Sequence, residues 1–294
     1  MLTLFRWFSG FSLHFLHALG AALGWVTYAA SPTYRQRMKA NAAQAGLAPA
    51  QWRPAVASAG RMVMELPVLW LRPPAEPILP RIRFEDEGLL ADALARGKGV
   101  LLLTPHMGCF EVTAQGIAER FGALRPITVL YRPARKSWLR ELVKTSRERE
   151  HLKAAPASLS GVRQMIRALR KGEMVGLLPD QVPPEGMGVW APFFGRPAYT
   201  MTLATRLVQQ TGAELLLTWG ERLPGGVGYV QRFFPFPEPL PADPAESAAA
   251  LNRAMEWLIL QNPGQYLWGY HRYKAPRAQP AVDEAVAAPD MAKE

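Results

Sequence analysis

The chain has 294 residues, 49% hydrophobic, 10% aromatic and 20% charged, a globular composition that excludes a disordered, collagenous or low-complexity protein. Its 34 Lys and Arg against 24 Asp and Glu give a formal charge of +10, which predicts anionic company: nucleic acid, a phosphorylated substrate, an acidic carrier protein or an anionic membrane face. The single cysteine, Cys109, excludes an intrachain disulfide and any multi-cysteine metal site, and suits a reducing cytosol.

In chain order, residues 7–30 come first, with no Lys, Arg, Asp or Glu, and with His14 and His17 as the only side chains that could carry positive charge. As one helix they would extend roughly 36 Å, enough for a hydrocarbon core of about 30 Å. Arg35, Arg37 and Lys39 follow and only Arg6 precedes, so the positive-inside rule places the rest of the chain in the cytoplasm. Gly10, Ser12, His14, His17 and Gly20 dilute the hydropathy. A helix lying in the membrane surface therefore competes with a full span, and a cleaved signal peptide is a third, lesser reading. The expected organisation is an N-terminal membrane-associated helix in an anchor at 1–31, one domain at 32–277, and a disordered Ala/Pro/acid-rich tail at 278–294.

Helical spacing runs over 35–71, broken by Pro54 and Pro67, and a proline-rich linker occupies 72–80. A strand at 81–85 and a helix at 88–96 come next. Four apolar runs at 99–104, 126–131, 174–178 and 214–219 read as buried strands. They alternate with helices at 112–120, 138–149, 162–171 and 199–210. An alternating strand at 228–234 and a helix at 244–261 complete the pattern. The predicted fold class is α/β, with a mixed, largely parallel sheet flanked by helices.

In such sheets the working residues sit where strands end. The first buried strand ends in Thr-Pro-His-Met-Gly-Cys-Phe-Glu at 104–111. His106 and Glu111 are five apart across a turn permitted by Gly108. A carboxylate one helical turn on can orient an imidazole that takes a proton from an incoming hydroxyl; the plain alternative is a strand-end histidine with a structural partner. Cys109 beside them reads as a small packing residue. The second strand ends at Arg132, which could bind phosphate or an oxyanion or be an ordinary surface arginine. The third ends at Asp180, which could hold a substrate hydroxyl, pair with Arg132 or simply make a turn. No G-x-S-x-G, Walker or G-x-G-x-x-G pattern occurs. Nine Lys and Arg between 138 and 171, from Arg140 to Lys171, suggest an acidic carrier protein or lipid phosphates. Nucleic acid is disfavoured, because no nucleic-acid-binding signature accompanies the charge.

The combination is more telling than its parts. The His106–Glu111 turn, Tyr131-Arg132-Pro133, GVRQMIRALRKGEMVGLLPDQ (161–181), VWAPFFGRPAYTMTLATRLV (189–208) and QNPGQYLWGYHRYK (261–274) resemble the bacterial lipid A biosynthesis acyltransferases, lauroyl/myristoyl-type enzymes within the lysophospholipid acyltransferase group. The resemblance implies an inner-membrane enzyme whose catalytic domain, 32–277, faces the cytoplasm. It implies transfer of a fatty acyl chain from acyl carrier protein to a hydroxyl of a glycolipid, the lipid A precursor, with no cofactor and no metal. It implies His106 as general base with Glu111 as partner, and Arg132 and Asp180 in the active site. From the residues, Gly108 is expected to lend backbone N–H groups to the oxyanion. His271, in the C-terminal block, is expected to make packing or surface contacts only. The alternatives are a glycerolipid or ornithine-lipid acceptor, a lipid hydrolase, and a non-enzymatic membrane protein that binds anionic lipid or carrier.

Overall fold

The computed structural model describes residues 2–73, 75–131 and 149–277. Arg132, most of the predicted basic helix at 138–149, and the tail at 278–294 lie outside them.

The apolar N-terminal run forms two helices, α1 (Leu2–Ser9) and α2 (Leu13–Ala30). Gly10 and Ser12 divide it: the Ser12 hydroxyl caps α2 by accepting from the Phe15 N–H at 3.3 Å, a role that pulls serine out of a helix interior. Among the described residues no helix is long and apolar enough to cross a membrane. The continuous helix expected over 7–30 is thus corrected. Ser31 caps α3 (Pro32–Gln44), a short α4 (Pro49–Trp52) follows, and α5 (Pro54–Leu71) runs on through Pro67, where the sequence predicted a break.

α2 lies against α5 at very close range. A Cβ on Gly20 would stand 2.7 Å from the Gly60 carbonyl oxygen and from the Arg61 Cα, and one on Gly24 would run into the Val56 carbonyl. Small residues let the two backbones approach, and one face of α2 (Leu13, Leu16, His17, Gly20, Gly24) is buried there. The predicted linker is also tied down: Glu119 accepts from the backbone N–H groups of Ile78 and Leu79 at 2.7 and 3.3 Å.

The sheet is built from β1 (Ile82–Glu85), β2 (Val100–Leu103), β3 (Ile127–Tyr131), β4 (Leu152–Pro156), β5 (Met174–Leu177), β8 (Glu214–Arg222) and β9 (Tyr229–Pro235). Their order is β1-β9-β8-β2-β5-β3-β4, parallel throughout except for the antiparallel β8–β9 pair. β2 is buried on both faces. Leu101 and Leu103 pack towards α8 (Leu159–Arg170), α9 (Leu203–Thr211) and α10 (Pro244–Gln261). Val100 and Leu102 pack towards α6 (Glu87–Ala95) and α7 (Phe110–Phe121). Helices on both faces explain why the strands read as apolar runs without alternation.

The helix predicted over 199–210 begins too early. A separate antiparallel hairpin, β6 (Gly188–Phe193) and β7 (Arg196–Met201), occupies the start of that segment. Its two-residue loop holds Phe194 at φ +47° and Gly195 at φ +73°, the left-handed pair that suits a tight hairpin turn. β4, a short edge strand, was not legible either.

Candidate active site

The site follows from register. Leu103 at the end of β2 pairs with Leu177 at the end of β5. His106 and Asp180 each stand three residues further on, so the parallel ladder delivers them side by side. The His106 Nδ1 lies 2.7 Å from Asp180 Oδ1, and the His106 backbone N–H donates to Asp180 Oδ2 at 3.0 Å. Asp180 is buried. Burial alone would push its carboxyl up, but the His106 charge, the two hydrogen bonds from His106 and the charge of Arg272 outweigh it and hold it below the usual carboxylate range. The imidazole is thereby fixed in ring orientation at Nδ1, and its side chain keeps 19% exposure.

This adds a His106 contact that the sequence reading did not assign. Asp180, expected to hold a substrate hydroxyl or pair with Arg132, is the carboxylate on the His106 ring. Glu111 lies buried in the first turn of α7 and lines the same cavity as His106. Cys109 is buried, and burial and then the Glu65 charge push its thiol well above its ordinary value, which makes it inert as a nucleophile.

Gly108 sits at φ +55°, and a Cβ there would collide with the Gly220 carbonyl. Its N–H donates to the Gln265 carbonyl at 3.0 Å, and its carbonyl accepts from Arg222 Nη2 at 2.8 Å. The neighbouring N–H groups of Met107 and Cys109 donate to Pro105 and Gly220. The N–H groups of Met107, Gly108 and Cys109 are thus engaged within the protein.

Beneath the turn lies a buried ion pair that sequence reading missed. Arg222 on β8 donates through Nη2 and Nε to Glu65 on α5, at 2.5 and 2.9 Å, and through Nη1 to Ser58 at 2.9 Å. The Tyr229 hydroxyl donates to Glu65 Oε2 at 3.1 Å, and His17 Nε2 lies 3.1 Å from the same oxygen. All these groups are buried. Nothing in the local sequence marks Glu65 or Arg222, which are 157 residues apart.

The C-terminal block closes the site from above. Leu267 N–H donates to the His106 carbonyl at 3.2 Å, and the Gln265 side chain bonds both the N–H and the carbonyl of Arg222. Tyr266 is buried beside Asp180; burial, then the Asp180 charge and a hydrogen bond with it, push its phenol well above the ordinary value. Arg272 donates to the Tyr199 carbonyl and the Thr200 hydroxyl at 2.6 and 2.7 Å. His271 is exposed, as expected for a surface contact.

His106 and Glu111 open onto a cavity of about 1300 Å³ with mostly apolar walls. Met62, Leu66 and Trp70 of α5, Val129 and Leu130 of β3, and Val162, Ile166, Leu203 and Leu207 of α8 and α9 line it. That exceeds the roughly 300–1,000 Å³ of ordinary small-molecule sites. Among the described residues no cluster of His, Cys, Asp and Glu suits a metal ion.

The family model for bacterial lipid A biosynthesis acyltransferases matches residues 14–275. The lipid A biosynthesis palmitoleoyltransferase of Escherichia coli strain K12 is 30% identical over 222 residues, covering 74% of this chain and 69% of that one. The lauroyltransferase of the same strain is 31% identical over 187 residues, covering 63% and 59%. A lipid A biosynthesis acyltransferase of Haemophilus influenzae is 27% identical, covering 61% and 55%.

Proposed function

Because the chain belongs to the bacterial lipid A biosynthesis acyltransferase family, and is thus an acyltransferase, we propose that it moves a fatty acyl chain from acyl carrier protein to a hydroxyl of a lipid A precursor at His106. The observation that carries this reading is the His106 Nδ1–Asp180 contact of 2.7 Å at the wall of a large apolar cavity. With Nδ1 engaged, Nε2 is the ring nitrogen that receives the proton of the acceptor hydroxyl. The hydroxyl oxygen bonds to the thioester carbonyl carbon, the carbon–sulfur bond breaks, and the proton passes to the departing thiolate. Asp180 steadies the imidazolium while it carries that proton. Glu111, in the same cavity wall, polarises the acceptor side of the site, and the charge of Arg132 is assigned to stabilising the developing oxyanion. No cofactor or metal takes part. The acyl chain lies along the apolar walls, a burial favourable by about 25 cal/mol per Å².

The enzyme works at the cytoplasmic face of the inner membrane. It rests there on the apolar side chains that α1, α2 and α5 leave exposed, among them Trp7 at 59%, Val26 at 61% and Val63. An aromatic and aliphatic face of this kind suits the interface between headgroups and acyl chains.

The test is an acyl-transfer assay with loaded acyl carrier protein and a tetra-acylated lipid A precursor, read by mass spectrometry. Wild type adds one acyl group; His106→Ala loses about 10²–10⁴ of the rate. A folded wild-type protein that leaves the precursor unchanged removes the acceptor, and equal turnover by His106→Ala removes the base.

A further inference from the structure

Several exposed arginines of this protein keep a carboxylate of their own. Arg96 grips Glu214, Arg120 grips Glu87 and Arg253 grips Glu238, each through two hydrogen bonds. One face of α8 is different. Arg163, Arg167 and Arg170 recur at i, i+4 and i+7 and are all exposed, with Lys171 directly after them. Among the described residues no carboxylate lies within ion-pair distance of any of the four. Like charges spaced four apart on a helix repel, and nothing within α8 offsets it. The row extends about 10 Å along the helix.

The same helix meets the cavity. Met165, Ala168 and Leu169 enter the core, while Leu159, Val162 and Ile166 form cavity wall. Leu159, at the rim, is 74% exposed. A basic stripe thus borders directly on an apolar entrance.

We propose that this outer face of α8 is the docking surface for the acidic protein that delivers the acyl chain, a carrier holding it as a thioester on a flexible arm, which crosses the rim at Leu159. The proposal rests on the acyl-transfer reading above and adds the place where the donor binds. Three guanidinium forks in a row, without a carboxylate partner among the described residues, match the carboxylates of an acidic helix, which each can grip bidentately. A bilayer is the weaker partner for this face. The exposed aromatic and aliphatic side chains that would enter lipid lie on α1, α2 and α5, whereas α8 offers only Leu159. α5 and α8 both line the one cavity, so a lipid held at α5 and a chain delivered past α8 reach the same space.

The test compares wild type with R163E/R167E/R170E, all surface changes, using two donors: acyl carrier protein loaded with a lauroyl chain, and the lauroyl thioester of N-acetylcysteamine, which has the thioester but no protein. With the carrier, KM is expected to rise about tenfold or more at low salt, and the difference to shrink as ionic strength increases. With the small thioester, turnover is expected to stay unchanged. Equal loss with both donors, or no loss with either, overturns the docking surface. Calorimetric titration of the carrier into both proteins reads binding without turnover, and equal affinities also overturn it. If wild type uses neither donor, the acyl-transfer reading fails while the titration still decides the surface. Sedimentation with vesicles of anionic phospholipid separates the remaining outcome: loss of vesicle binding with carrier KM intact would make this face a membrane contact instead.

Discussion

Removing Arg222 should reverse the acid response of the whole fold. Glu65 is fully buried, and burial by itself pushes its carboxyl up. The Arg222 charge and hydrogen bonds, with a smaller contribution from His17, outweigh that and hold it at about 2 against an ordinary 4.5. At about 1.4 kcal/mol per tenfold change in proton affinity, that depression represents roughly 3 kcal/mol of stability. The folded value is the lower one, so the stabilisation is complete above the unfolded value and is lost as pH falls from 4.5 towards 2. In Arg222→Met the carboxylate loses its main partner and burial dominates. The expected cost at pH 7 is about 3–5 kcal/mol, the range for an uncompensated buried charge. The carboxyl then titrates above its unfolded value, so the variant should gain stability on acidification where wild type loses it. Urea unfolding in detergent at about pH 7 and pH 4, followed by tryptophan fluorescence, reads both effects. Replacing the pair with apolar residues, Glu65→Leu with Arg222→Met, should recover much of the loss, because no charge is left stranded. A cost below about 1 kcal/mol for Arg222→Met, or a pH slope like that of wild type, would falsify the view that this ion pair supports the turn at Gly108.

Other outcomes follow from the same geometry. Asp180→Asn should keep the fold but lower kcat by about 10²–10⁴, since the ring loses the carboxylate that orients it and steadies its charged form; a normal circular dichroism spectrum with near-normal turnover would exclude that role. Because the Asp180 carboxyl is held below its usual range, its stabilisation is present above the unfolded value and is lost only as pH falls through the lower folded value. Gly108→Ala places a methyl against the Gly220 carbonyl at φ +55°, and should cost about 1–3 kcal/mol together with most of the activity, read by thermal unfolding and the transfer assay. Gly24→Leu should pry α2 from α5, lowering the melting temperature by several degrees, about 4 °C or less per kcal/mol for a chain of this size. Ile166→Phe narrows the apolar cavity and should shift preference to shorter acyl donors in a competition assay; an unchanged product distribution would place the chain along other walls.

The chain order already contained the buried strands, the helices between them and the positions where chemistry could sit. A strand covered on both faces must be apolar throughout, and such runs stand out at 99–104 and 174–178 without any knowledge of pairing. The His106 turn and the Asp180 turn were visible as strand ends for the same reason. Even their meeting was latent, since both lie three residues past their strands. The pairing itself was not legible: β2 and β5 are neighbours, with Leu103 opposite Leu177, and only sheet order brings Asp180 to the imidazole. Sequence proximity places Glu111 one helical turn from His106, and parallel register adds Asp180 at Nδ1. The division of the N-terminal run and the strand at 196–201 depended on a serine cap and a left-handed turn, local details that hydropathy averages away. Glu65 and Arg222 were beyond any local pattern, because a buried ion pair is defined by two distant elements sharing one low-dielectric space. Composition can count such charges, but only the packing of α5 against β8 brings these two together beneath the His106–Gly108 turn.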